Sequence, residues 1–141
     1  MLKITEVRPS RSVTGEYVVL QNQGLMTVAL RGWVLCSEAY LQGLWDQRAC
    51  PAYVFRTETA VKPYQRVVVF TGEGDDGWYS TVDGKLAYVA YWGRHEPVWS
   101  RVEQVFVLHC ASSRRIAALG PPAVAGHRPW NASPRASRSD Q

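Results

Sequence analysis

The sequence predicts an all-β fold, a small antiparallel sandwich, and three observations carry that prediction. Short β-branched and aromatic runs recur along the chain, each closed by Gly, Pro, Asn or Ser. No long window places apolar residues at i, i+3, i+4 and i+7 between caps, so helical periodicity is absent. Six Trp and seven Tyr in 141 residues supply the large rings that pleated, half-buried surfaces accommodate.

Taken in order, residues 2–7 alternate weakly and read as a first edge strand. Residues 17–21 form an apolar run closed by Asn22-Gln23-Gly24. Residues 27–30 and 33–36 flank Arg31-Gly32, where glycine supplies a bend or bulge. Residues 53–55 are short and aromatic, and residues 66–71 (RVVVFT) carry the strongest strand signal. Residues 86–92 and 104–110 follow, and Ser112-Ser113-Arg114 turns the chain into a last strand at 116–119. About nine strands at this spacing make a Greek-key sandwich. Residues 37–51 have room for a helical turn, and the Gly/Asp-rich residues 72–84 read as an exposed loop. From Gly120 the composition shifts to Pro, Ser and Arg, so residues 1–119 form the domain and 120–141 a disordered tail.

The net charge is +4, and half of that excess lies in the tail through Arg128, Arg135 and Arg138 against Asp140. A body so close to neutral lacks the clustered basic face that duplex binding requires. Cys36, Cys50 and Cys110 form no CxxC pair, and the count leaves open whether Cys36 and Cys50 bridge. No signal peptide and no 18-residue apolar span is present, so the expectation is a cytoplasmic protein without membrane partners.

Four stretches resemble the lamin tail domain, an immunoglobulin-like module. Residues 16–24 (EYVVLQNQG) are similar to the family's E-Y-[VI]-x-[LI]-x-N-x-G, and residues 28–35 (VALRGWVL) to its V-x-L-x-G-W-x-L. Residues 63–74 match a Pro-Gly turn, a V-x-V strand and T-G-x-G, with Tyr64 standing where the turn glycine is usual. Tyr91-Trp92-Gly93 followed by Pro97-Val98-Trp99 resembles the Y-W-G…P-V-W segment of bacterial members. Residues 100–104 and His109-Cys110-Ala111 depart from the family's turns. The resemblance spans roughly residues 2–119 and implies an immunoglobulin-like antiparallel sandwich that works as an adaptor.

The expected core comprises Tyr17, Leu20, Leu30, Gly32, Trp33, Leu35, Val67, Val69 and Leu108. Gly32 makes room for the Trp33 indole to enter it, and truncating Trp33 to Ala is expected to cost ~3–5 kcal/mol.

Catalytic and metal chemistry find little footing. On a strand, His109 and Cys110 point to opposite faces, and no G-x-S-x-G elbow is present. Glu73, Asp75 and Asp76 offer hard oxygen ligands of the kind Ca²⁺ prefers, but their spacing is not that of an EF-hand and a solvated turn accounts for them. The Asn131-Ala132-Ser133 sequon carries no expectation without an export signal. What remains is an aromatic surface. Trp78, Tyr79, Tyr91, Trp92 and Trp99, with Arg94, have the composition of an interaction hot spot, although many such rings fill a small core. The sequence is therefore read as a non-catalytic, cofactor-free binding or scaffolding module for a protein partner. The alternative is a nucleic-acid-binding module that uses the same aromatics with scattered Arg.

Overall fold

The computed structural model describes residues 1–42, 52–102, 104–109 and 139–140. They form eleven strands and one single-turn helix: β1 Leu2–Arg8, β2 Tyr17–Asn22, β3 Val28–Ala29, β4 Trp33–Ser37, α1 Glu38–Leu41, β5 Ala52–Val54, β6 Ala60–Val61, β7 Arg66–Phe70, β8 Gly77–Ser80, β9 Leu86–Tyr91, β10 Val105–His109 and β11 Ser139–Asp140. The expected strand at 116–119, Cys50, Cys110 and the tail lie outside the described residues, apart from Ser139 and Asp140, whose backbone pairs with β10 in parallel. No described helix is long and apolar enough to cross a membrane.

Five strands build the larger sheet in the order β1-β2-β7-β9-β8. A second sheet runs β11-β10-β4-β5, and β3 pairs with β6 alone. Alternation explains the core. Val18 and Leu20 of β2 and Val67 and Val69 of β7 point inward, where they meet Leu35, Val105 and Val107 of the second sheet. Both sheets therefore share one apolar centre, which also takes Leu30 and the fully buried Trp99.

The second sheet is apolar on its other face as well. Val34, Cys36, Phe106 and Leu108 pack there under Tyr40 and Leu41 of α1. The Ser37 hydroxyl caps that turn, accepting the Tyr40 amide N–H at 3.4 Å. This is why β4 reads as a nearly continuous hydrophobic run.

Three expectations change in the structure. An antiparallel sandwich was expected, yet β7 and β9 run parallel, Val67 opposite Tyr88. The connection between them is long enough to contain β8, which turns back to pair antiparallel with β9. Tyr17 faces outward, because the inward positions of β2 are Val18, Leu20 and Asn22. Leu108 is buried as expected, in the second apolar cluster, because residues of β10 alternate between the two faces. Trp33 is only half-buried; it packs on the core's margin, edge-on to His109 at 5.3 Å, and Trp99 takes the central place. Gly32 does hold a left-handed backbone, with φ of 90°. Its N–H donates to the Phe55 carbonyl at 3.1 Å, so the bend that sets up β4 also ties it to β5.

Two buried polar side chains fix the loops at opposite ends of the larger sheet. At one end, Asn22 accepts from the Met1 ammonium and the Gly24 amide through Oδ1, and its Nδ2 donates to the carbonyls of Met26 and Val61. At the other end, Glu16 accepts from Thr71 Oγ1 at 2.6 Å and from the Val98 amide at 2.8 Å. The Trp99 amide reaches both of its carboxylate oxygens at 3.2 Å.

The corner at Tyr64 shows what its departure from glycine means. The Gln65 amide donates to the Lys62 carbonyl, and Tyr64 has φ of 70°. This is a type II turn with Pro63 in its favoured place and a bulky residue where glycine is normally required. The Tyr64→Gly variant is expected to be more stable by about 0.5–1 kcal/mol, the relieved strain exceeding the added entropy of the unfolded chain. A midpoint of urea unfolding equal to or below that of the wild type would contradict this.

Candidate interaction surface

Register on the larger sheet aligns one residue from each of four strands on the outer face. Arg8 lies opposite Tyr17, Tyr17 opposite Phe70, and Phe70 beside Tyr91. The rings follow that row, Tyr17 to Phe70 at 5.4 Å and Phe70 stacked on Tyr91 at 5.3 Å. The Arg8 guanidinium sits over the Tyr17 ring at 5.6 Å. Gly74 of the acidic loop crosses the Tyr91 ring so closely that a Cβ there would come within 2.5 Å of it. That loop shields the phenol, and burial is the first cause of the Tyr91 pKa lying above the usual range; Tyr79, Asp75 and Asp76 add to it.

The acidic loop puts its carboxylates to separate uses. Asp76 Oδ1 accepts the Tyr91 amide at 2.8 Å, pinning the loop to the end of β9. Asp75 contributes its carbonyl, which accepts from the Tyr79 hydroxyl at 2.7 Å. Glu73 stands 3.8 Å from the exposed His95 imidazole. No group of three or more His, Cys, Asp or Glu among the described residues is placed to hold a metal ion.

The six aromatic and basic residues expected at the surface divide into three groups. Trp99 is wholly buried, with Glu16 holding its backbone amide; among the described residues its indole N–H meets no hydrogen-bond partner. Trp92 lines the margin of the same core, 5.5 Å from Trp99 and 5.7 Å from Tyr53, and Arg94 covers its face at 4.9 Å. Tyr53 is desolvated there, which together with the nearby Asp76 pushes its phenol up to about 12. Trp78 and Tyr79 stand on β8 and are exposed on opposite faces of this edge strand. Trp78 meets Tyr88 edge-on at 5.5 Å, while Tyr79 shares the outer face with Tyr91.

Trp78, Tyr79 and Tyr91 are thus gathered at the β8 side of the larger sheet, Trp92 and Arg94 close its margin, and Trp99 leaves the surface altogether. Tyr17 and Phe70 join the outer row, a role that only cross-strand register reveals. In sequence they are single aromatics on strands whose partners are unknown. No protein-family model matches the chain, and no curated protein matches it in sequence.

Proposed function

We propose that this chain is a non-catalytic, immunoglobulin-like sandwich of the lamin-tail kind that binds a protein partner along the edge strand β8. The family reading is supported by the work done by its motif residues. Glu16 and Asn22 close the two ends of β2, and Gly32 takes the left-handed bend before Trp33.

The single observation that carries the binding reading is the contrast between the two edges of the larger sheet. β1 is an interrupted edge: its register shifts between Ile4 and Glu6, and it bears Lys3, Glu6 and Arg8. Such features discourage pairing with another chain. The other edge, β8, is Gly-Trp-Tyr-Ser, with no charge and no proline, and its two rings are exposed on either side. An extended segment laid along β8 would complete backbone hydrogen bonds and place its alternate side chains against Trp78 or against Tyr79 and Tyr91. Exposed Trp and Tyr are also the residues most enriched at binding hot spots.

A photo-crosslinking amino acid at position 79, with one at position 58 as a control on an exposed loop outside the larger sheet, tests this in cells. One protein crosslinked at 79 and not at 58, and lost when Trp78 is replaced by Lys, is the expected result. Crosslinks to nucleic acid alone, or yields equal at both positions, would overturn the reading.

A further inference from the structure

The topology brings three loops to the end of the larger sheet fixed by Asn22. Leu2 opposes Asn22, Gln21 opposes Arg66, Arg66 lies beside Ala87, and Ser80 opposes Leu86. Loops 23–27, 62–65 and 81–85 therefore emerge side by side. Asn22 joins the first two through Met26 and Tyr64, and Arg66 joins the third through Thr81 and Asp83.

Each tip carries an exposed apolar side chain. Leu25 is 89% exposed, Met26 74%, Tyr64 68% and Val82 107%. Val82 heads a turn closed by the Gly84 amide on the Thr81 carbonyl and makes no use of its side chain in the fold. Tyr64 keeps its ring in water at the cost of a left-handed backbone. With Met1 and Leu86, six of the nine large hydrophobic side chains exposed among the described residues are at this end.

The charges complete the picture. The chain has three lysines, Lys3, Lys62 and Lys85, and all of them are exposed beside these tips. The acid among them, Asp83, accepts from the Thr81 hydroxyl and the Lys85 amide, which with the nearby Arg66 hold its carboxyl below the usual range.

Lysine is depleted where proteins bind proteins. Protruding apolar tips ringed by lysine instead suit a lipid interface, where the tips enter the acyl boundary and the ammonium groups reach anionic headgroups. We infer that this end of the molecule docks on an anionic membrane surface through Leu25, Met26, Tyr64 and Val82, with Lys3, Lys62 and Lys85 on the headgroups. The chain itself gives no warning of this, because its apolar tips are isolated residues in three distant turns. The expectation of no membrane partner rested on the absence of a spanning segment.

Co-sedimentation with vesicles of phosphatidylcholine alone, and with about one-third phosphatidylserine, tests it with the purified chain. Three lysines near a charged surface should make binding to the anionic vesicles on the order of a hundredfold tighter, and salt should weaken it. The double variant Leu25→Asp, Met26→Asp should bind at least about tenfold more weakly with an unchanged melting temperature. Replacing Lys3, Lys62 and Lys85 by Gln should bring binding down to the level seen with phosphatidylcholine, while Arg31→Gln, on an exposed pair with Glu58 outside the three loops, should change nothing. No binding to either vesicle, equal binding to both, or equal loss in Arg31→Gln would overturn the inference. So would a soluble dimer that the Leu25, Met26 variant abolishes, since the tips would then join two copies of this chain.

Discussion

Replacing Glu16 with alanine is expected to destabilise the protein by about 3–5 kcal/mol, among the largest effects of any single substitution. The carboxylate is wholly buried, and three donors converge on it: the Thr71 hydroxyl and the Val98 and Trp99 amides. Alanine would leave all three without an acceptor in a space closed to water. Glutamine keeps one acceptor oxygen but turns an NH₂ toward the same donors, so Glu16→Gln should retain part of the stability and lose about 1–3 kcal/mol. Urea unfolding at neutral pH, comparing midpoints at constant m, measures both. A loss below about 1 kcal/mol for the alanine variant would mean that solvent or another acceptor replaces the carboxylate.

Trp99→Ala should cost about 3–5 kcal/mol, because the largest fully buried side chain among the described residues leaves a cavity beneath Trp92. Trp33→Ala should cost about half as much, since Trp33 is half-buried at the core's edge. Trp99→Phe should be milder than Trp99→Ala, because a phenyl ring refills much of the space the indole occupies. Thermal unfolding of the three variants gives the ranking. Equal losses at positions 33 and 99 would show that both rings belong to one packed unit.

The exchange of roles between these two tryptophans shows where sequence reasoning reaches its limit. The strands of RVVVF and YVVLQN are legible because β-branched alternation is a local property, and Leu20, Leu30, Leu35, Val67 and Val69 fall in the core that alternation assigns. Trp33 follows a glycine in a strand and looks like a core ring. Trp99 sits in a short 3₁₀ turn where no alternation exists, and its place in the core goes with the hold of Glu16 on its backbone amide. β8 was hidden for a similar reason. Gly-Trp-Tyr-Ser lies inside a Gly/Asp-rich segment, and its pairing with β9 depends on a hairpin whose far arm is several residues away. The parallel pairing of β7 and β9 has no local signature either. The candidate surface was legible as a composition, in Trp78, Tyr79 and Tyr91. Its outline depended on which strands are neighbours, and that is what adds Tyr17 and Phe70 and removes Trp99.

The Glu16 clasp also has a consequence for the order of assembly. Its amide donors lie 82 and 83 residues further along the chain. On a ribosome, β1, β2 and β7 can pair as soon as they emerge, yet the acid at their corner stays hydrated until the segment around position 99 has been made. Closing the domain and drying that carboxylate are therefore one late event, and a chain interrupted before that point would leave the corner between β2 and β7 unclasped.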